Sequence, residues 1–532
     1  MREGKIPPPR EDKAKVKRVE LHAHTKMSEM DSVVSAQDLI RTAARWGWDA
    51  VAITDHGVVQ AFPEAMKTVK DDNLNIKVIY GMEGYLTGDD YKQRHANHII
   101  LLAKNQVGLH NLYRLVTLSH LQYFYRQPRI PRNILREYRD GLILGSACEA
   151  GELIRAIVEQ ESEEKLLAIA SFYDYLEIQP IENNSYLVRS EEFPNINTDE
   201  DLRNINRKVA EIAKKLNKLL VATCDSHFLN PESAIYRTVI MASRGFDDAE
   251  LQPPLYLWTT DEMMKEFNYL GEEIAYEAVV TNPRRIAEIV ERVQPLPNGI
   301  YKPTLPNADN KLKELSYQQA HQWYGKILPD IVQKRLEKEL AIIVAHGFST
   351  LYLIVHELAR KTKEEGYYFS SRSSIGSSFV ATMTGITEVN PLPLHWRCPK
   401  CQYSEFITDG SYSSGFDLPD KNCPNCGETL IKDGHDIPFA VFLEGDGVLV
   451  PDITLCFPVP YRPVACKYLE RIWGHDKVIE AGKLSTISEN RAYTYVQKFL
   501  RKKRRPIASI LFGVLRRGAL ARKGRQKLIR QA

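Results

Sequence analysis

Through the first 230 or so residues, short apolar runs that end at polar residues alternate with stretches whose apolar positions recur at helical spacing. Arg18-Val19-Glu20-Leu21 reads as a strand ending at His22. Ser35-Ala36-Gln37-Asp38 then has capping-box spacing, with Leu39, Ile40, Ala43, Ala44 and Trp46 behind it on one helical face. Ala50–Thr54 repeats the pattern and ends at Asp55-His56, and Lys77–Tyr80 ends at Gly81-Met82-Glu83. Leu142–Gly145 leads to Cys148, Asp174–Glu177 is a further strand, and Leu219–Thr223 leads to Asp225 and His227. One run is reversed: His98 stands at the start of Ile99–Ala103. Helical patterns at 107–118, 163–172 and 204–217 lie between these strands. Such alternation predicts a parallel α/β arrangement whose closure into a barrel would bring the polar strand ends together.

Beyond residue 230 the alternation gives way to longer helical patterns, including Tyr317–Tyr324 and Leu328–His346, and a second domain is expected to begin there. Arg397–Gly434 is rich in Cys, Gly, Asp and Ser and has little helical periodicity. The expected order is a basic lead-in (1–17), an α/β barrel (18–235), a mostly helical region (236–396), a cysteine module (397–435), a further α+β segment (436–500) and a basic tail (501–532).

At 532 residues, three or more domains are the natural expectation. With 43% hydrophobic and 26% charged residues and no long apolar run, neither general disorder nor a membrane-spanning helix is supported. Met1–Lys5 followed by Pro7-Pro8-Pro9 lacks the apolar core of a secretory signal, so a cytoplasmic location is expected. The net charge of +3 conceals an asymmetry, because residues 501–532 carry twelve Lys or Arg and no acid, leaving about −9 for the rest. This tail suits nucleic acid or an anionic lipid surface, or is simply solvated. Its apolar stretch Ile507–Leu515 is too short to span a bilayer.

The polar strand ends carry the chemistry. His22 and His24 occupy alternate positions of an extended segment and so point to one side, where they can share an ion. Asp31, Glu83 and Asp225 can bridge ions, and Cys148 adds a softer ligand suited to zinc- or manganese-type metals. Clustered divalent ions neutralise phosphoryl oxygens and acidify water, so phosphoester hydrolysis is the expected reaction. Separately, Cys398-Pro399-Lys400-Cys401 and Cys423-Pro424-Asn425-Cys426 form two Cys-x-x-Cys knuckles with twenty-one residues between them, the spacing of a closed structural zinc site. Tyr123-Phe124-Tyr125-Arg126 with Arg129 and Arg132 is either a base-stacking and phosphate-contacting loop or ordinary packing with a solvated rim.

His22-x-His24, Thr54-Asp55-His56-Gly57, Glu83, His98, Gly145-Ser146-Ala147-Cys148 and Asp225-Ser226-His227 resemble the PHP domain, a metal-dependent phosphoesterase barrel. From about residue 14 to 497 the chain resembles the PolC-type DNA polymerase III alpha subunit family, including Ser119–Arg126 and Ile386–Pro393. The resemblance implies nine metal ligands, His22, His24, Asp31, His56, Glu83, His98, Cys148, Asp225 and His227, holding Mn-, Zn- or Fe-type ions. It implies zinc on Cys398, Cys401, Cys423 and Cys426, and a partial palm within 436–500. Ser370–Ser378 resembles the family's triphosphate loop, with Arg372, Ser374, Gly376 and Ser377 as phosphate contacts, but Ser370 and Ser373 stand where the family has glycine. In Pro451-Asp452-Ile453-Thr454-Leu455, Asp452 matches one catalytic aspartate and Thr454 replaces the second. The family's exonuclease insert is absent between Glu83 and His98, and its third catalytic aspartate and fingers have no counterpart.

The resulting expectation is a shortened PolC-type homologue of DNA replication whose polymerase site is defective and whose PHP site retains phosphoesterase or 3′-5′ exonuclease activity. Two alternatives stand beside it: an active or split polymerase, using Mg and completed by another chain, and a non-catalytic paralogue that binds DNA or replisome proteins.

Overall fold

The computed structural model describes residues 10–246, 248–299, 301–445, 448–451, 453–475, 477–479, 482 and 484–502. They form two compact units, one running through Pro297 and rejoined by the segment from Ser485, the other spanning Asn298–Leu484. Among the described residues no single helix is long and apolar enough to cross a membrane.

The first unit is built on β1 (Ala50–Ile53), β2 (Lys77–Thr87), β3 (Asn97–Ala103), β4 (Phe124–Tyr125), β5 (Gln127–Pro131), β6 (Leu142–Gly145), β7 (Tyr175–Ile178) and β8 (Leu219–Ala222). β1 pairs with β2, β2 with β3, β3 with β6, β6 with β7 and β7 with β8. The extended segment before β1 bridges Glu20 to Val51 on one side and Ala23 to Ser226, just past β8, on the other. These bridges close the ring of pairings into the expected barrel. The β4–β5 hairpin extends it by pairing Tyr85–Thr87 with Arg129–Pro131.

Two expectations are corrected. The sheet is not wholly parallel: β3 runs against both β2 and β6, because the short connection from β2 lacks the crossover that a parallel return needs. This explains why His98 begins its strand, since the start of an antiparallel strand lies where its neighbours end. β2 is also eleven residues long, so Glu83 sits within it and not beyond it.

Strand alternation divides the apolar residues between two cores. Ala50, Ala52, Ile79, Ile100, Leu102, Ile143, Tyr175 and Val221 form one cluster with Val19 and Leu21. Their neighbours Val51, Ile53, Val78, Tyr80, Leu101, Leu144, Leu176 and Ala222 join the residues of the surrounding helices in another. The helix Ala36–Arg45 begins as expected, with the Ser35 side chain accepting from the Asp38 amide, and buries Leu39, Ile40 and Ala43 in that outer core.

The first unit also extends past the expected boundary at 235. Ile286, Ala287 and Val290 belong to the inner cluster, and Lys77 donates to the carbonyls of Ala287 and Val290 at 2.8 and 2.7 Å. The barrel core is thus completed by residues well downstream of its last strand. The segment expected as one piece over 436–500 is divided in turn, since the helix Glu489–Lys502 packs on the helix Ala234–Arg244 of the first unit.

The second unit is mostly helical, with Ala308–Tyr324, Asp330–Ala345, Ser349–Glu364 and Phe379–Met383 sharing one core. Glu339, buried beside Arg335, caps the last of these by accepting from Ser378 Oγ and the Val380 amide at 2.9 and 3.0 Å. The unit's strands are β9 (Ser370–Arg372), β10 (His395–Arg397), β11 (Ser404–Phe406), β12 (Ile431–Asp433), β13 (Phe442–Gly445), β14 (Val448–Pro451) and β15 (Thr454–Cys456). β10 is central between β11 and β12 and carries the cysteine module.

Gly145 shows how tightly the barrel is filled. It lies opposite Tyr175, and a Cβ there would stand 2.2 Å from the Tyr175 ring, which is fully buried. Gly145→Ala is therefore expected to destabilise the first unit by about 1–3 kcal/mol, read as a lowered denaturant midpoint.

Candidate metal centres

Glu83 is the hub of the first site. Strand parity places it on the side of β2 that carries Ile79, as it places His98 with Ile100 and Glu177 with Tyr175. Its Oε1 lies 2.9 Å from His98 Nδ1, 3.3 Å from His22 Nε2 and 3.5 Å from Cys148 Sγ. Its Oε2 lies 2.6 Å from His56 Nδ1 and 3.7 Å from His24 Nε2. Asp225 Oδ1 is 3.4 and 3.2 Å from the same His22 and His24 nitrogens, and Asp31 is 3.4 Å from His56 and 3.7 Å from His227. All nine sequence-predicted residues are thus brought together. Two are delivered by loops in left-handed backbone: Asp225 itself has φ 52°, and Ala147 at φ 59° turns the chain into Cys148.

Three sets, His22–His24–Asp225, His24–His56–His227 and His56–Glu83–His98, each have ligand atoms within 4.8 Å of one another. The His22 and His24 Nε2 atoms are 3.1 Å apart, close to the roughly 3–3.4 Å between two nitrogens that share one ion. Glu83 Oε2, Asp225 Oδ1 and His56 Nδ1 are buried without a hydrogen-bond partner. Buried polar atoms are rarely left so, and here they converge, which is the arrangement that fits cations.

The charges agree. Burial opposes ionisation of Glu83, but His98, His22 and His56 outweigh it and hold the carboxylate well below its usual range. Burial likewise opposes charge on His56, yet Glu83 and Asp31 raise it to about 10. His24 is driven down to about 3 by burial and by His56 and His227. Burial, with Glu149 and Glu83, holds the Cys148 thiol well above its usual value.

Sequence reasoning missed two contributors, Glu177 and Arg237, and the scaffold role of a third, Asp55. Glu177, fully buried, accepts from His22 Nδ1 at 2.7 Å, which turns Nε2 toward the cluster; it also takes Thr223 Oγ1 and Gln179 Nε2. Arg237 donates to Asp31 through Nε at 2.9 Å. Asp55, present in the sequence pattern, serves the scaffold by accepting from Thr25 N, Thr25 Oγ1 and Ser28 Oγ, which fixes the loop after His24. The period-2 position of Glu177 was a usable signal; Arg237 had none. In the aromatic loop, Arg129 is buried against the Tyr91 and Gln93 carbonyls and Arg132 pairs with Glu152, so both arginines are occupied internally.

The four cysteines of the module come together. Cys398, Cys401, Cys423 and Cys426 offer sulfurs within 4.8 Å of one another, with the Cys398–Cys426 pair at 3.5 Å and Cys401–Cys423 at 3.4 Å. These separations far exceed a disulfide bond and approach the roughly 3.8 Å between thiolates around one zinc. Each knuckle turns through a left-handed residue, Gln402 at φ 60° and Gly427 at φ 76°.

The expected phosphate loop is arranged differently. Ser374 Oγ donates to Val441 O, and Ser377 Oγ donates to Ser374 O while accepting from the Ala440 amide, so neither hydroxyl hydrogen is directed outward. Gly376 would tolerate a Cβ at ordinary contact distance from Val389. Arg372 is exposed on β9 and stands opposite Thr454 on β15. Asp452 lies outside the described residues.

Fold and site together define a PHP-domain protein: the family model described as PHP domain matches residues 20–181, and that described as bacterial DNA polymerase III alpha NTPase domain matches residues 310–524. A PolC-type DNA polymerase III of Clostridium perfringens is 51% identical over 421 residues, covering 79% of this chain and 29% of its own length. One from Caldanaerobacter subterraneus is 36% identical over 698 aligned positions, 94% of this chain and 50% of its own. The chain belongs to the PolC-type DNA polymerase III family and spans at most half the length of these two relatives. A solved structure described as a metal-dependent phosphoesterase of Bifidobacterium adolescentis aligns with 42% of this chain and 89% of its own at 12% identity, with a TM-score of 0.27, too low for residue correspondences.

Ligation requires neutral imidazole and ionised thiol, so Mn²⁺ uptake near pH 7 is expected to release protons, chiefly from His22, His56 and Cys148, and to tighten as pH rises. Calorimetry in buffers of different ionisation enthalpy reads this directly. Cys423→Ser with Cys426→Ser is expected to remove one zinc per chain, read by atomic emission, and to lower the melting temperature of the module.

Proposed function

We propose that the first site hydrolyses phosphoesters, and that His22, His24, Asp31, His56, Glu83, His98, Cys148, Asp225 and His227 hold its divalent ions. The observation that carries this reading is the convergence of buried imidazole, carboxylate and thiol ligand atoms on Glu83 and Asp225, beside a cavity of about 420 Å³ lined by Asp31, His56, His98 and Cys148. Ions bound there would neutralise phosphoryl oxygens and make water acidic enough to attack phosphorus. The residues of the chain do the rest: Glu177 fixes the His22 tautomer, Asp55 fixes the loop after His24, and Arg237 steadies Asp31. In the hydrolysis, water oxygen bonds to phosphorus as the ester P–O bond breaks, and the departing oxygen takes a proton. Phosphodiesters, including a DNA 3′ end in exonuclease fashion, are the substrates in keeping with the family.

Family membership supports a part in DNA replication with DNA as the partner, while Thr454 argues against template-directed synthesis by this chain. A hydroxyl supplies no charge where two-metal nucleotidyl transfer needs a carboxylate. One observation favours a second reading, a polymerase completed by another chain: β9 and β15 pair in register, so Arg372 and Thr454 remain assembled as neighbours.

His22→Ala with Asp225→Ala is expected to abolish metal-dependent hydrolysis of bis-p-nitrophenyl phosphate and of a labelled oligonucleotide; undiminished turnover would defeat the assignment. Primer extension that appears on adding a second chain and disappears in Asp452→Asn would establish the completed polymerase.

A further inference from the structure

The cavity beside the metal-ligand cluster has a second character. Its floor is acidic and imidazole-rich, but its lining also takes in two short helices. Ala234–Arg244 presents Arg237, Met241 and Arg244, which at spacings of four and three share one helical face. Ser185–Arg189 presents Tyr186 and Arg189. Phe246 follows the first helix, after the left-handed cap at Gly245.

Arg237 is committed to Asp31 and Gln252. Glu149 and Asp248 also line the cavity, but among the described residues neither Arg189 nor Arg244 forms a salt bridge with a carboxylate. Arg189 donates to Ser185 Oγ at 3.2 Å, and Arg244 donates to Met30 O at 3.3 Å with its guanidinium 5.5 Å from the Phe246 ring centre. Arg244 also lies near enough to Tyr85, which stacks on His56 at 6.3 Å, to act electrostatically on its phenol, which places this cation beside the cluster. Tyr186 and Phe246 are 38% and 47% exposed, and both line this cavity.

Exposed aromatics are ordinary when scattered. Two of them beside two guanidinium groups and a ligand cluster suited to phosphate chemistry are a different matter. A bare phosphate or pyrophosphate offers nothing to an aromatic face, and a paired base keeps its faces inside the duplex stack. An unpaired nucleotide offers both a ring to stack and a phosphate to bind, and guanidinium and aromatic faces together are how proteins hold single strands. The volume is also that of a small-molecule site.

We infer that Tyr186 and Phe246 contact bases and Arg189 and Arg244 contact phosphates in this cavity, which selects the unpaired end of a nucleic-acid strand. The inference rests on the phosphoesterase reading for its chemistry, but it is tested by contact and not by turnover. An oligonucleotide ending in 5-iodo-2′-deoxyuridine, irradiated on the full chain, is expected to crosslink to Tyr186 or Phe246. The crosslink is expected to fall at least tenfold in Tyr186→Ala with Phe246→Ala while bound metal, read by atomic emission, is unchanged. Arg189→Gln with Arg244→Gln is expected to weaken the same crosslink more at low salt than at high salt. Crosslinks confined to residues 501–532, or a cavity crosslink undiminished by the aromatic double substitution, would overturn the inference. Absence of hydrolysis in the unsubstituted chain would instead count against the phosphoesterase reading and leave the crosslink result interpretable.

Discussion

A single buried carboxylate, Glu83, lies within 3.7 Å of four imidazoles and a thiol. So many ligand groups cannot all be satisfied by hydrogen bonds to one another. Two donors can share an oxygen, but His56 Nδ1 and Glu83 Oε2 meet at 2.6 Å as an ion pair outside ordinary hydrogen-bond geometry. Protonating imidazoles is one relief, and the Glu83 and Asp31 carboxylates favour it at His56. A cation is the other, since it accepts lone pairs from several directions at once. The barrel is arranged around this requirement: closure through the segment holding Glu20 and Ala23 brings in His22 and His24, and the reversed β3 delivers His98 opposite Tyr85, within reach of Glu83.

Strand parity made much of this legible. Alternate positions in β2, β3 and β7 are apolar toward the inner core and polar toward the cluster, so Ile79 with Glu83, Ile100 with His98 and Tyr175 with Glu177 follow one rule. His22-x-His24 and the cysteine knuckles were equally local patterns. What could not be read locally depended on ring closure. Arg237 reaches Asp31 across 206 residues, and nothing in its neighbourhood marks it. The boundary near 235 failed for the same reason, because the pattern of strands ends there while the barrel core still needs Ile286, Ala287 and Val290.

The polymerase-related segments are held by local contacts. Glu339 caps its helix, β9 pairs with β15, and the four cysteines meet. Thr454 suits a strand and costs the fold little. A metal site asks for more than packing, because the cost of stripping water from a divalent ion is met by charge and not by shape. Strand packing and metal chemistry therefore place different demands on one position.

The two uses of cysteine sharpen that contrast. At Cys398, Cys401, Cys423 and Cys426, four thiolates around one ion would leave no coordination position for substrate, and the small apolar cluster of Leu394, Trp396, Leu418 and Leu430 packs around them. At Cys148, one thiol stands among imidazoles and carboxylates that border a cavity, with the arginine-bearing helix Ala234–Arg244 as part of its wall. A closed sulfur shell secures a fold; a mixed shell beside open volume leaves room for a reacting ester and for water. The helix Glu489–Lys502 packs on that same wall helix. Residues from far along the chain therefore brace the helix that carries Arg237 and Arg244 beside the cavity.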